Sequence, residues 1–312
     1  MAKKDFSIGD ALGTGFVLFR RHPAAVLGWG ALYVIGIAAY LGYAIHFFSR
    51  LSFENMTATA ADFEELEAMM GFQLGMWAIT LLLGLVGLLI WNAATRAALH
   101  TGRTDRFLFL RLGMAELRLL VVAIALLVAY YAFIIVAALL GVGIGLASYA
   151  IGESAVPIAL VIYGVAVFGL LVVGWSRLSI LPAACMIYDD FAFVAGWRLG
   201  AGRTAKLVGL NLLILILYYV ASSIMVLLAG LIAVGVFFGA GASWPDDPQT
   251  FGDVFDALRP MAPWLVLIVA LYIPFMGWVM AMYSGGLTTA ARQLADSSRP
   301  AQTGADAADA SR

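Results

Sequence analysis

Residues Asp189–Tyr219 read DDFAFVAGWRLGAGRTAKLVGLNLLILILYY. The first half mixes aromatic, small and basic residues, and the second half, from Leu207, is almost wholly apolar. That order describes an amphipathic segment lying at a membrane surface, a basic residue, Lys206, and then a helix entering the bilayer. The same order occurs twice earlier in the chain. The fold class it implies is an all-α membrane protein of six transmembrane helices. They form three parallel repeats, each an interfacial amphipathic helix plus two spanning helices.

The register of the repeat can be read directly. Twelve residues after Arg21, Arg118 and Lys206 stand Tyr33, Tyr130 and Tyr218. The upstream segments begin at Phe6, Phe107 and Phe191, and Arg-Leu-Gly recurs at Arg111–Gly113 and Arg198–Gly200. Thr95-Arg96 closes the second apolar stretch and Ser176-Arg177 the fourth. The repeats therefore run over about 1–100, 101–188 and 189–292, within a single membrane domain spanning 1–292. All three start on the same side of the membrane, so they are parallel and not inverted, and a pseudo-threefold bundle is the natural arrangement. Twelve helical residues rise about 18 Å, which carries the three tyrosines past the bilayer middle. Tyr33, Tyr130 and Tyr218 are thus candidates for a central layer lining a cavity, and equally for a duplicated packing position whose hydroxyls bond to neighbouring helices.

Composition agrees with lipid as the solvent. Of 312 residues, 63% are hydrophobic and 12% charged, where a soluble domain carries about 25% charged residues. The mean hydropathy is +0.96. The net charge of −1 gives no global attraction to nucleic acid. One cysteine, Cys185, excludes an intramolecular disulfide and a cysteine-built metal cluster, and three scattered histidines argue against a histidine-built one. No metal or cofactor is expected. Lys3 and Lys4 precede no continuous apolar run of the kind a cleaved leader needs, so the first spanning helix is read as the insertion signal.

Six apolar stretches reach spanning length: Ala24–Phe48, Leu74–Thr95, Leu117–Ala147, Val156–Trp175, Leu207–Gly239 and Trp264–Gly286. Before them, Ile8, Leu12, Phe16 and Phe19 share one helical face, which predicts an interfacial helix. Of the 18 basic residues only Arg50 and Arg259 fall on one side of this layout. The other side is then cytoplasmic, with both termini on it. A helix is predicted around Ala61–Met70, Asn55-Met56-Thr57 fits a glycosylation sequon, and Thr250 with Asp253 reads as a helix cap. From Gln293 to Arg312 the chain is rich in Ala, Asp and Ser and lacks an apolar period, as a disordered cytoplasmic tail does.

Polar residues inside the apolar stretches are few. No ionisable group stands in the middle of any of them, which argues against an ion-coupled carrier. Arg96, Arg177, Arg111, Arg118 and Arg198 lie near the cytoplasmic ends and are candidate contacts for anionic lipid headgroups, or simple topological anchors. Asn92 and Asn211 are expected to bond across helices. Gly141…Gly145 and Gly235…Gly239 have the spacing that lets helices approach closely. Pro274 is expected to bend the sixth helix, and Cys185 to pack inertly. Asp189-Asp190 is read as an N-terminal cap of the third amphipathic segment, not as an acid/base pair, because no histidine is near in the chain. No nucleophile-elbow, metalloprotease or phosphate-loop motif occurs.

The run Ser176-Arg177-Leu-Ser-Ile-Leu-Pro182-Ala-Ala, followed by Ala195-Gly-Trp197-Arg198-Leu-Gly-Ala-Gly202 and Leu207, resembles bacterial membrane domains of the YciC-like type. It also resembles the membrane domain fused to some glycerophosphoryl diester phosphodiesterases. Phe6 and the Phe19-Arg20-Arg21 segment fit the opening of those domains. The resemblance implies a bacterial inner-membrane location and no defined activity, and the phosphodiesterases' catalytic barrel has no counterpart here. The expectation is a non-enzymatic inner-membrane protein that meets membrane lipids, or other membrane proteins, as a scaffold or assembly factor. The alternative is a carrier or binder of a lipid or amphiphile through a central cavity. An intramembrane enzyme ranks last.

Overall fold

The structure, a computed structural model, describes residues 6–49, 63–100, 108–110, 113–239 and 250–298. The sequon at Asn55, the arginines Arg103, Arg106 and Arg111, and the chain beyond 298 lie outside the described residues. Among those described, the fold is all-helical, and six helices are long and apolar enough to cross a membrane. This is the architecture of a multi-pass membrane protein.

The six are α2 (Pro23–Phe48), α3 (Phe63–Leu99), α4 (Met114–Tyr149), α5 (Ala155–Leu178), α8 (Thr204–Gly239) and α10 (Ala262–Ser298). Four short helices accompany them: α1 (Ile8–Arg21), α6 (Leu181–Tyr188), α7 (Phe193–Leu199) and α9 (Phe251–Leu258). Each sequence-predicted span lies within one of the six. Local chemistry sets the ends. Ser7 caps α1 by accepting from Asp10 N at 3.2 Å. Pro23 opens α2, where its missing N–H costs nothing. Thr250 and Asp253 cap α9 reciprocally, as their spacing predicted. Pro182 opens α6 after a break at Ser179-Ile180. α10 continues through Pro274 as one helix.

Three expectations are corrected. The Asp189-Asp190 pair does not cap the following helix: α7 starts at Phe193 with Ala192 as its N-cap and no side-chain bond. Asp189 instead ends α6 in the left-handed conformation (φ 52°), which Asp tolerates better than most residues, and its carboxylate takes Arg118 of α4. The tail does not begin at Gln293. α10 continues to Ser298 with Leu294 and Ala295 buried, and Gln293 Oε1 accepts from Ser7 N at 2.8 Å. Finally, Gly235 and Gly239 meet nothing within 4 Å, so that pair makes no close helix contact.

Close contact is made elsewhere. α10 is the hub and packs against α1, α2, α3, α6, α7 and α8. It crosses α2 where Gly30 faces the Ile273 carbonyl and Gly277 faces the Val26 carbonyl, and a Cβ on either glycine would drive into backbone. Small residues at a crossing let helices gain van der Waals contact in lipid, where no hydrophobic effect draws them together. α1 lies along the C-terminal half of α10 in the same manner. A Cβ on Gly15 would sit 2.7 Å from Met282 Cα, and the Thr14 and Thr289 hydroxyls meet at 2.7 Å. Neighbouring spans follow chain order from α2 through α3, α4, α5 and α8 to α10, which returns to α2. The packing is uneven around that circuit. α4 and α5 pack on each other but touch the other spans sparingly, and most of their apolar residues, such as Ile135, Leu139, Ile162 and Phe168, are exposed and require lipid.

Candidate functional site

The uneven packing leaves an apolar cavity of about 470 Å³ between α3, α4 and α5, within the range of small-molecule sites. Trp91 and Asn92 of α3 form one wall. Val122, Leu126 and Tyr130 of α4 form the second, and Leu171 and Trp175 of α5 the third. Pro182 and Tyr283 of α10 close it from the side of the hub. None of the described residues that line it is charged. The cavity belongs to the half of the bundle that carries α1, α6 and α7, because its α4 residues start at Leu119, just after the N-terminus of that helix, and its α5 residues lie near the C-terminus.

Most polar groups around the cavity are engaged. The Tyr283 hydroxyl takes a hydrogen bond from Trp175, and its ring meets Trp91 edge-on at 4.9 Å. Ser179 Oγ donates to the Ser176 carbonyl and accepts from Asn211 Nδ2 at 3.2 Å, and the same Asn211 amide donates to the Leu207 carbonyl. Asn211 thus bonds across helices as its sequence context predicts. Asn92 does not. It is 1% exposed, and neither its amide nitrogen nor its oxygen has a partner. An unpaired buried amide costs about 1–3 kcal/mol, so it calls for an explanation.

One turn beyond Asn92, Arg96 pairs with Glu116 of α4 and donates to the Phe109 carbonyl at 3.3 Å. Glu116 is 5% exposed. The turn it borders holds Leu108 and Phe109 in the left-handed region (φ 56° and 62°), where non-glycine residues cost about 1–2 kcal/mol each. Trp29, wholly buried, holds that turn in place by donating to the Leu108 carbonyl at 2.9 Å. Arg96, Glu116 and Trp29 therefore fasten α2, α3 and α4 together one turn beyond the cavity residue Asn92. Sequence reading singled out Arg96 but not Glu116, whose place in the first turn of a helix marks only a favourable charge at a helix N-terminus.

The other candidate residues are placed apart. Arg177 donates to Thr204 Oγ1 at 2.8 Å and lies over the Trp197 ring, 5.0 Å from its centroid. Arg118 is tied to Asp189, and Arg198 is exposed on α7. Arg111 lies outside the described residues. The three tyrosines share no single environment. Tyr33 packs with Tyr272 beside Val34 and Phe275, and Tyr218 is close enough to both rings to interact electrostatically. Tyr130, 42% exposed, stands at the cavity wall with its ring against Tyr131. Among the described residues no group of three or more His, Cys, Asp or Glu could hold a metal ion, and Cys185 is buried in the core. No protein-family model, curated protein or solved structure matches the chain.

Proposed function

We propose that this protein binds a lipid or other amphiphile in the cavity between α3, α4 and α5. One observation carries the reading: an apolar, uncharged cavity of about 470 Å³ opens within a bundle that elsewhere packs glycine against backbone. A chain that served only as a rigid body would gain by closing that space, since unfilled apolar volume costs about 24 cal/mol per Å³. In this reading both termini are cytoplasmic, as the split of basic residues expects, so the cavity lies in the cytoplasmic leaflet, and the YciC-like resemblance would make that leaflet part of a bacterial inner membrane. The binder is non-enzymatic in this reading, because the lining holds neither a nucleophile next to a base nor a carboxylate pair.

Native mass spectrometry of protein released gently from the membrane tests this. Wild type is expected to carry one tightly held lipid. Ala123→Trp, which fills the cavity from α4, is expected to lose it while keeping the same melting temperature to within a few degrees. Equal lipid on both proteins would overturn the proposal. A second reading, a scaffold for membrane partners, is favoured by one feature: α7 exposes Val194, Trp197 and Arg198 together at the bundle end. Crosslinking from residue 194 that captures one discrete membrane protein would support it.

A further inference from the structure

We infer that the occupant of this cavity is an uncharged lipid with a free hydroxyl, and that Asn92 recognises that hydroxyl. The inference rests on the proposed cavity function and adds the chemistry of the ligand's polar end. Among the described residues Asn92 is the one lining residue with a side-chain amide, and both halves of that amide are unpaired. A carboxamide left with a spare donor and a spare acceptor is complementary to a group that accepts and donates at once. A hydroxyl is the smallest such group. An ester or ether oxygen only accepts and would leave Asn92 Oδ1 orphaned. The two amide atoms are covered from solvent although the residue lines the cavity, so a ligand reaches them by rotation about the last torsion of Asn, which is broad.

Charge argues the same way. Among the described residues none that lines the cavity is cationic, so a phosphate or ionised carboxylate held by them would be desolvated without a counter-ion. The nearest cation along α3, Arg96, is already paired with Glu116 and bound to the Phe109 carbonyl. Asn92 lies one helical turn deeper than that pair, about 6 Å along the axis. That depth, just beneath the charged groups at the bundle end, suits a hydroxyl attached directly to an apolar chain. It does not suit a headgroup. A single bound water would also donate and accept, but a buried water ordinarily needs about three polar partners. Of the other hydroxyls lining the cavity, Ser179 Oγ already donates to the Ser176 carbonyl and accepts from Asn211, and Tyr283 Oη already accepts from Trp175.

The test compares retention of oleyl alcohol, its methyl ether and oleyl phosphate by full-length protein in nanodiscs, for wild type, Asn92→Leu and Ala123→Trp. Wild type is expected to hold the alcohol about tenfold more tightly than the ether, the cost of an unmade hydrogen bond in a buried site, and to hold the phosphate least. Asn92→Leu is expected to hold alcohol and ether alike, at the wild-type level for the ether. Ala123→Trp should hold none. If wild type holds alcohol and ether equally, or Asn92→Leu keeps the preference, the role of Asn92 is refuted while the cavity reading stands. If wild type binds the phosphate best, the uncharged class is refuted. If wild type and Ala123→Trp bind all three probes alike, the cavity reading itself falls, and this inference with it.

Discussion

The bundle has a dense half and a loose half. In the dense half, α1 and α2 meet α10 backbone to backbone at Gly15, Gly30 and Gly277, and Thr14 reaches Thr289. In the loose half, α4 and α5 form a hairpin whose apolar side chains mostly face outward, and the cavity lies where the hairpin meets α3. The hairpin of the loose half is the more apolar in sequence, with span hydropathies of 2.9 and 2.7 against 1.8 for α2 and 2.3 for α10, yet it is the less tightly packed. The difference lies in residue size at the crossings. Small residues let helices close up in lipid, whereas branched and aromatic ones hold them apart and leave space that another molecule can fill. The contrast gives stability to one half and, under the proposed function, binding to the other, and each can be broken by mutation.

The largest effect belongs to Gly277→Leu. The added side chain would have to displace the Val26 backbone, so the α2–α10 crossing cannot form. Overpacking of a core ordinarily costs about 1–3 kcal/mol, and a collision with main chain that cannot move aside exceeds that range. No monodisperse protein is expected after detergent extraction, judged by size-exclusion chromatography. A well-behaved Gly277→Leu protein would show that the dense half is not dense.

Next come the two ion pairs that tie α4 to the rest. Glu116→Ala leaves Arg96 without its carboxylate in a largely buried place, and breaking such pairs costs about 3–5 kcal/mol when both partners are fully buried. Arg96 retains the Phe109 carbonyl and some solvent, so a loss of about 2–3 kcal/mol is expected. Arg118→Ala removes a pair whose Asp189 side chain is 86% exposed, and such pairs contribute about 0–1 kcal/mol. Denaturant titration of the two variants side by side checks the ratio. Equal losses would mean that Glu116 is no better shielded than Asp189.

The two intramembrane amides give a smaller effect, with opposite signs. Asn211→Leu removes a cross-helix bond to Ser179 and should cost about 1 kcal/mol. Asn92→Leu removes an amide that bonds to nothing and should stabilise lipid-free protein by about 1 kcal/mol. The same melting experiment, run on delipidated protein, reads both. A loss for Asn92→Leu would reveal a partner for the amide inside the empty protein.

These amides also mark how far the sequence can be read. Span positions, the α1 helix and the Thr250 cap were legible because length, periodicity and capping chemistry are local. Asn92 and Asn211 looked alike in sequence, since each is one amide in an apolar run. Which of them finds a partner depends on how helices rotate against one another. In lipid that rotation is not written in an apolar stripe, because the side facing lipid and the side facing protein are both hydrophobic. The tyrosines show the same limit. Their spacing from Arg21, Arg118 and Lys206 is equal, yet Tyr33 lies beside Tyr272 and Tyr130 at the cavity, because α2 and α4 pack against unequal neighbours. Glu116 was passed over for a related reason: its partner, Arg96, is on another helix.

The smallest effect is the sharpest control on the comparison. Gly235 and Gly239 have the spacing that close crossings use, but nothing lies within 4 Å of either Cβ position. If crowding alone distinguishes the halves, Gly235→Ala and Gly239→Ala should be harmless. Each should gain slightly from the better helix propensity of Ala, by at most about 1 kcal/mol and less where lipid already favours the helix. The double variant is therefore expected to melt within a few degrees of wild type and to keep the bound lipid. A destabilised double variant would mean that these glycines touch something the single chain does not contain, and the natural candidate is then a second membrane protein packed on α8.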